Sequence, residues 1–296
     1  MPPDAATIAF EAHRPGLVRL AYRMLGSLAE AEDAVQEAWL RWSRADRDAV
    51  REPQAYLRRT VTRLCLDAMK SARARRETYV GSWLPEPVIE PEDEAMRADE
   101  ITLTLMLALE RLSPLERAAF LLHDVFAVPL EEVAITLDRQ PASVRQLAVR
   151  ARAHVRAAAP RYPVDKAEGE RIAKAFFAAS TTGDVATLRA MLAESVVLHA
   201  DGGGKVRAFM NPIRGIERAV RLFAGLSRKY ASQPAQLVRL AVIDGLPGYV
   251  SRERDGVLQT TALAVEAERI VAVYITRNPE KLTRVAQAEG GEPAQE

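Results

Sequence analysis

The chain has 296 residues, which suits about two domains, and its 48% hydrophobic content is ample for packed cores. The 41 basic and 40 acidic residues leave a net charge of +1, so overall charge does not single out a polyanionic partner. A single cysteine, Cys65, excludes an internal disulfide, and with four scattered histidines it gives no metal-ligand spacing, so we expect no metal site and no cofactor.

The first 76 residues are predicted to be helical. Their opening stretch, MPPDAATIAFEAHRPG, lacks the basic start and apolar run of a signal peptide, and no later run is long enough to cross a bilayer. We therefore expect a cytoplasmic protein without a membrane partner. Apolar positions from Ile8 to Leu25 share one helical stripe, a second helix with an acidic outer face begins at about Ala29, and a third begins at Pro53.

The third helix is dense in basic residues and close in sequence to aromatic ones. Basic side chains beside aromatic rings are typical of surfaces that bind unstacked bases. Core packing is the better interpretation of Trp39 and Tyr56, whereas Trp42 is not assigned by the pattern. The basic residues are Arg58, Arg59, Arg63, Lys70, Arg73, Arg75 and Arg76.

Residues 77–100 form a predicted linker in which prolines at 85, 87 and 91 discourage a continuous helix. Its first part reads YVGSWLPEP, and the remainder is acidic. Tyr79, Trp83 and Leu84 are too apolar for a fully solvated tether. We therefore expect at least this end of the linker to pack against a folded part of the protein.

Residues 129–156 have the pattern of a helix-turn-helix. The apolar stripe of the second helix consists of Val144, Leu147, Ala148, Ala151 and Val155. On other faces, Arg145 can pair with guanine and Gln146 with adenine, while Val149 or Ala142 can touch a thymine methyl. The side chains suited to phosphates are Arg150, Arg152 and Arg156. A helical hairpin with a solvated basic face is the alternative.

After residue 165 helices give way to alternating strands. Helices are predicted at 165–182, 185–192 and 216–230, and strands at SVVLHAD, GKVRAFM, AQLVRLAVID, GYVSRER, VLQTTALAVEA and RIVAVYIT. Helices followed by a strand meander indicate an α+β fold. The glycines at 202–204 suit a tight hairpin turn. His199 and Asp201 would share one face of a strand, which makes them a candidate acid-base pair.

The stretches AEDAVQEAWLRW and PQAYLRRTVTRLCLDAMKSARARRE resemble domain 2 of bacterial extracytoplasmic-function (ECF) sigma factors of the sigma-70 family. The stretch LERLSPLERAAFLLHDVFAVPLEEVAITLDRQPASVRQLAVRARAHV resembles their domain 4. WLPEP, DGGGK at 201–205 and NPEKL at 278–282 resemble motifs of the SigJ-type group, whose members carry a C-terminal SnoaL-like extension. Glu280 stands where that pattern usually has Asp, which leaves the role of its carboxylate open.

The resemblance implies a multidomain protein: all-α sigma domains 2 and 4, then an α+β SnoaL-like, nuclear-transport-factor-2-like cone with a curved antiparallel sheet. The implied boundaries are domain 2 at 1–76, an acidic proline-rich linker at 77–100, domain 4 at 101–160, the SnoaL-like domain at 165–285 and a disordered tail at 286–296.

The resemblance also implies a transcription initiation factor, not an enzyme, whose partners are core RNA polymerase and promoter DNA. The core-binding residues would be Asp33, Gln36 and Glu37. Loop 43–52 would capture a base flipped from the minus-10 element, and the melted strand and neighbouring duplex phosphates would be held by Arg58, Arg59, Arg63 and Lys70. The minus-35 element would be read by Ser143, Arg145, Gln146, Val149 and Arg150. The acidic linker could occupy the basic RNA exit channel of polymerase or be a disordered tether.

The C-terminal domain would regulate the sigma domains in cis. Its interdomain contacts would involve Trp83, Asp201, Lys205, Asn278 and Lys281. A small molecule could bind in the cone, although the sequence carries no ligand signature. The alternatives are a one-component, ligand-responsive helix-turn-helix regulator and a SnoaL-like enzyme, using His199 and Asp201, fused to a DNA-binding domain.

Overall fold

The computed structural model describes residues 5–46, 50–77, 79–89, 102–156 and 164–290. Within these ranges, unit one comprises 5–46, 50–77 and 105–156, and unit two comprises 79–89, 102–104 and 164–290. The first part of the predicted linker therefore belongs to unit two. The acidic run to residue 100, positions 47–49 of the predicted minus-10 loop and residues 291–296 of the predicted tail lie outside the described residues.

Unit one begins with three helices, α1 (Ala5–Leu25), α2 (Leu28–Arg44) and α3 (Pro53–Glu77). Gly26 has a φ of +74°, a conformation that glycine adopts readily, and it ends α1. The Ser27 side chain then accepts a hydrogen bond from the Glu30 amide and caps α2. These three helices agree closely with the sequence-based prediction.

Two apolar side chains of these helices differ from expectation. Ile8 is 59% exposed, because it lies two residues from buried Phe10 and therefore on the opposite side of α1. Trp42, not Trp39, is the buried tryptophan, and its ring centroid lies 5.6 Å from that of the half-buried Tyr56. Position 42 falls on the buried stripe of α2 with Val35, whereas Trp39 packs at the edge of the core.

The second part of unit one begins within α4 (Leu103–Leu109), at residue 105. It continues with α5 (Pro114–Phe120), which extends as a π-helical turn (Leu121–Val125). The pair α6 (Leu130–Leu137) and α7 (Pro141–Arg156) follows. This pair is the expected helix-turn-helix, broken at Asp138, which has a φ of +53°. Arg117 is 1% exposed and donates to the carbonyls of Leu109 and Met24. It thereby ties the two helical parts of unit one together.

Unit two is an α+β fold, as the sequence predicts. Its helices are α8 (Lys166–Thr182), α9 (Val185–Met191), α10 (Ile216–Lys229) and α11 (Thr283–Ala288), the last preceded by a 3-10 turn at Pro279–Leu282. Its strands are β1 (Leu192–Asp201), β2 (Ile213–Arg214), β3 (Gln236–Ile243), β4 (Leu246–Arg252), β5 (Leu258–Glu266) and β6 (Arg269–Thr276). They form one sheet in the order β2-β1-β6-β5-β4-β3. The core includes Phe176 of α8 and Phe223 of α10. No helix in the described ranges is long and apolar enough to span a membrane.

Three expectations for unit two are corrected. The sheet is mixed, because β1 runs parallel to β6, with Asp201 beside Thr276. The stretch GKVRAFM is not a strand, since the amides of Lys205 and Val206 both turn back to the Gly202 carbonyl. The tail expected to be disordered from residue 286 instead begins inside α11, and the buried side chain of Val285 anchors this helix to unit two.

Candidate functional site

Helix α7 presents an exposed polar face above a buried apolar one. The side chains expected to read the minus-35 element are all exposed: Ser143, Arg145, Gln146, Val149 and Arg150. The five positions of the apolar stripe are all buried, as the helical period requires. Arg150 Nε lies 3.1 Å from a carboxylate oxygen of Glu116. Although burial opposes it, hydrogen bonds from Ser113 and the charge of Arg150 lower the pKa of Glu116.

Two of the basic side chains expected at the minus-10 element contact the first helix of the helix-turn-helix. Arg58 forms an ion pair with Glu132 of α6, and Arg63 Nε donates to the Thr136 carbonyl at 3.3 Å. Arg59 is partly exposed, and exposed Lys70 pairs with Asp67 at 2.7 Å. Arg58 and Arg63 would have to exchange protein partners for phosphates on binding DNA. The side chains of residues 71–77, which include Arg73, Arg75 and Arg76, are not among those that the structure describes.

The residues expected to bind core polymerase lie on the outer face of α2. Asp33 and Gln36 are exposed, and Glu37 accepts a hydrogen bond from Arg41 Nε at 2.9 Å. The opposite face of α2 is buried in unit one. This acidic face is available to a basic partner surface.

The most elaborate polar cluster of unit two surrounds the carboxylate of Asp201, at the end of β1. Asp201 is 0% exposed. Its Oδ1 accepts from the Tyr79 hydroxyl at 2.5 Å and the Gly203 amide at 3.0 Å. Its Oδ2 accepts from the Leu84 amide at 2.9 Å and Lys281 Nζ at 2.7 Å. A buried carboxylate is tolerated when it is paired and hydrogen-bonded in this way.

Lys281 and Asn278 complete this arrangement. Lys281 Nζ also donates to the Leu84 carbonyl and lies 4.3 Å from the centroid of a Trp83 ring. Asn278 Nδ2 donates to the Tyr79 hydroxyl at 2.9 Å. Burial and the hydrogen bond to Asp201 raise the pKa of Tyr79, so its hydroxyl stays a donor. We call this set the Asp201 cluster: Tyr79, Trp83, Leu84, Asp201, Asn278 and Lys281.

Four of the five residues expected at an interdomain contact therefore meet in the Asp201 cluster. The motifs do not identify Tyr79 and Leu84 as site residues, although the apolar character of the linker indicates that both pack against a folded part of the protein. Lys205 lies outside the cluster, where it pairs with Glu280 at 2.6 Å with both side chains exposed. The carboxylate of Glu280 thus joins the two motifs DGGGK and NPEKL at the surface.

A glycine is required at one position of the DGGGK motif. Gly203 has a φ of +63°, and a Cβ there would lie 2.5 Å from Asn278 Cγ. A side chain at this position would displace Asn278, which binds Tyr79. The turn therefore serves the Asp201 cluster rather than joining two strands of a hairpin.

The rest of the linker, as far as Ile89, also packs against unit two. The Asp244 amide donates to the Val88 carbonyl at 2.8 Å, and Ile89 forms a β-bridge with Ile243. Glu86 is 7% exposed and lies 3.6 Å from Arg284 Nε. Residues 79–89 are thus held along their length, which confirms that this end of the linker packs against a folded part of the protein.

Unit two also encloses a cavity of about 330 Å³ between its sheet and the helices α8 and α10. The candidate acid-base pair is not among the described residues that line it. The ring of His199 stacks on that of Tyr274 at 5.3 Å, and Asp201 is engaged in its own cluster. The structure therefore does not place this pair in the lining of this cavity.

Comparison with known proteins covers both units. Sigma-70 region 2 matches residues 9–75, and Sigma-70 region 4 matches residues 102–155. The ECF RNA polymerase sigma factor SigJ of Mycobacterium tuberculosis is 39% identical over 290 residues, covering 93% of this chain and 92% of that protein. The chain belongs to the ECF sigma factors. This sigma factor is also 33% identical to the probable ECF sigma factor SigI of the same organism, over 97% of this chain and 98% of the relative.

The crystal structure of SigJ from M. tuberculosis matches this sigma factor with a TM-score of 0.74 and 34% identity, covering 94% of this chain and 98% of that one. The similarity therefore extends through unit two. The protein is a transcription initiation sigma factor with a C-terminal SnoaL-like domain. Within it, the Asp201 cluster lies outside both sigma-70 regions and draws on the segment that connects them.

Proposed function

We propose that this sigma factor binds core RNA polymerase, directs it to specific promoters, and is regulated in cis by its SnoaL-like domain. The proposed regulation is supported by the Asp201 cluster, which fixes residues 79–89 to unit two. These residues belong to the segment that joins regions 2 and 4 in the sequence. A sigma factor must place both regions on DNA together, so this segment is an effective point of control.

The promoter contacts we propose follow from exposed surfaces of unit one. Core polymerase would bind the acidic face of α2 through Asp33, Gln36 and Glu37. The melted minus-10 strand and nearby phosphates would contact Arg58, Arg59, Arg63 and Lys70. The minus-35 element would be read by Ser143, Arg145, Gln146, Val149 and Arg150. Arg145 and Gln146 would supply most of the sequence preference, since guanidinium and amide groups pair bidentately with purine edges.

The ion pair between Arg58 and Glu132 supports a resting state of unit one in which a proposed DNA contact of α3 is held by an acidic residue of α6. Arg58 has 17% of its side chain exposed and Glu132 has 32%. Regions 2 and 4 would separate when polymerase and promoter are bound, and phosphates would replace Glu132 as the partner of Arg58.

Restraint by unit two follows from competition for the linker. A linker that lies along unit two cannot at the same time occupy a channel of polymerase. Because unit two is tethered to the linker, its effective concentration is on the order of millimolar, so a modest contact stays populated. Opening of the Asp201 cluster would release the linker and raise transcription.

We further propose that the protein catalyses no reaction of its own, since His199 and Asp201 have other partners and do not line the cavity. We place its activity in the cytoplasm, where its proposed partner, core polymerase, works. A one-component repressor that ignores polymerase is not favoured, because regions 2 and 4 of sigma-70 are both present. The cavity of unit two is instead proposed as a site where a small molecule adjusts the restraint.

In-vitro transcription with defined core polymerase tests the proposal. Asp201→Asn removes the buried charge with little change in shape, and Asp165→Asn is the matched control, because Asp165 is an exposed helix cap at which Asn serves equally well. We expect Asp201→Asn to raise promoter output several-fold at equal core binding, with Asp165→Asn unchanged. Equal output from both variants would defeat regulation through the cluster, and failure of the parent protein to bind core would defeat the sigma function itself.

A further inference from the structure

The cavity of unit two combines an apolar interior with a cationic rim. Phe176, Phe223, Tyr249 and Ile275 are buried apolar side chains in its lining. A volume of about 330 Å³ lies at the lower end of the range typical of small-molecule sites. The interior therefore suits a compact apolar body such as one or two fused rings.

The rim carries four basic residues, Arg207, Lys229, Arg254 and Arg277, against two acidic residues, Glu253 and Asp255, which leaves a net charge of +2. Arg277 is already engaged, because its Nη2 lies 2.8 and 2.7 Å from the two carboxylate oxygens of Asp255. Although burial opposes it, this contact lowers the pKa of Asp255. The Ser251 hydroxyl donates to Glu253 at 2.9 Å.

Arg254 is a basic group of the rim that has no carboxylate partner among the described residues. Its Nη2 reaches only the Thr181 carbonyl, at 3.4 Å, and its buried Nε, like that of Arg277, has no hydrogen-bond partner among the described residues. Arg254 and Lys229 both lie over the ring of Tyr230, at 5.4 and 5.2 Å from its centroid. A buried donor without a partner is costly, and a guanidinium forms its strongest hydrogen bonds with an anion.

We propose that this cavity binds a small apolar molecule with a single anionic head, of the aromatic carboxylic acid class. The ring system occupies the space among the phenylalanines, and the carboxylate accepts hydrogen bonds from Arg254. A neutral analogue leaves the Arg254 donor unsatisfied, and a cationic one meets the net positive rim. The rim thus sets the charge of the ligand and the interior sets its size.

The cavity and the Asp201 cluster share the ends of two strands. Ala200 of β1 and Arg277 after β6 line the cavity, and each is followed directly by a residue of the cluster. The amides of Arg277 and Asn278 both donate to the Asp201 carbonyl, at 2.8 and 2.9 Å. A ligand that shifts either strand end would therefore also shift residues of the Asp201 cluster. This regulatory meaning rests on the proposed function, whereas the binding itself does not.

Fluorescence titration of the full chain, without polymerase or DNA, tests the binding. The probe is anilinonaphthalene sulfonate, and its matched neutral control is N-phenylnaphthylamine, which lacks only the anionic group. We expect saturable binding of one anionic probe per chain, displaced by naphthylacetate but not by naphthylethanol. Arg254→Gln is expected to lower the affinity for the anionic probe about tenfold and the affinity for the neutral probe less than about twofold. The control is Arg228→Gln, which makes the same charge change at an exposed arginine outside the cavity lining. We expect it to change the affinity for neither probe.

A second variant separates the cavity from other surfaces. Leu222→Trp places a larger side chain in the lining and is expected to abolish binding of both probes, with the fold checked by circular dichroism. Equal affinity for the two probes, or an equal loss in Arg254→Gln and Arg228→Gln, would overturn the proposal. Binding as expected combined with unchanged transcription in Asp201→Asn would instead reject the proposed regulation and leave the site intact.

Discussion

Helix α7 and the Asp201 cluster use charge in opposite ways. The polar side chains of α7 that are expected to read DNA are exposed, although Arg150 also pairs with Glu116, so each could take a partner on DNA. Asp201 is fully buried, and both of its oxygens are committed to donors within the protein. Exposed charge is therefore available to outside partners at little cost, whereas the buried charge fixes one arrangement of the linker. We expect the exposed side chains of α7 to support recognition of DNA and the Asp201 cluster to support control.

The largest expected effect follows from removing the buried charge. Asp201→Ala leaves Lys281, the Tyr79 hydroxyl and the Leu84 amide without their acceptor, and breaking a buried pair of this kind costs about 3–5 kcal/mol. We expect the free energy of local opening of residues 79–89 to fall by this amount. The measurement is hydrogen exchange of the Leu84 amide, which should become faster. Leu84 exchange equal to that of the parent protein would show that the carboxylate does not hold the linker.

The two regions also differ in how far the sequence predicts them. The exposed and buried faces of α7 follow from a local period, which by itself assigns Arg145 to the exposed face and Leu147 to the buried one. The Asp201 cluster depends on contacts between residues 122 and 80 positions apart, with Tyr79 and Lys281. Motif resemblance pointed to four of its members, but the pairing of β1 with β6 that places them was not predicted, because strand order is not encoded in a local pattern.

The next largest effect is expected at the proposed recognition surface of α7. Arg145→Ala is expected to cost about 1–3 kcal/mol at one promoter position, because a bidentate contact with a base edge is lost. Arg156→Ala, at an exposed position expected to meet phosphate, should weaken all promoters alike and reduce the salt dependence of binding. Promoter-library selection with holoenzyme distinguishes the two. A uniform loss in Arg145→Ala would show that this residue positions α7 rather than reading sequence.

A smaller effect is expected where Arg58, a proposed DNA contact, meets Glu132 of α6. Glu132→Gln removes the ion-pair partner of the partly exposed Arg58, a contact worth on the order of 1 kcal/mol. Promoter affinity should rise by up to about fivefold, since Arg58 no longer has to leave a carboxylate. Glu131→Gln is the control, because Glu131 is an exposed acid on the same helix. If both variants improve binding equally, the gain comes from general repulsion between DNA and acidic groups, not from the release of Arg58.

The smallest effect is expected at the surface pair that joins the two motifs beside the Asp201 cluster. Lys205 and Glu280 have 50% and 65% of their side chains exposed, so Lys205→Ala should change the stability of unit two by only about 0–1 kcal/mol. That difference should vanish in molar salt, which screens exposed charges, whereas the effect of Asp201→Ala should persist because the Asp201 carboxylate is fully buried. Chemical denaturation at low and high salt measures both. A loss in Lys205→Ala as large and as salt-resistant as that in Asp201→Ala would mean that the surface pair, and not burial of the carboxylate, holds the motifs together.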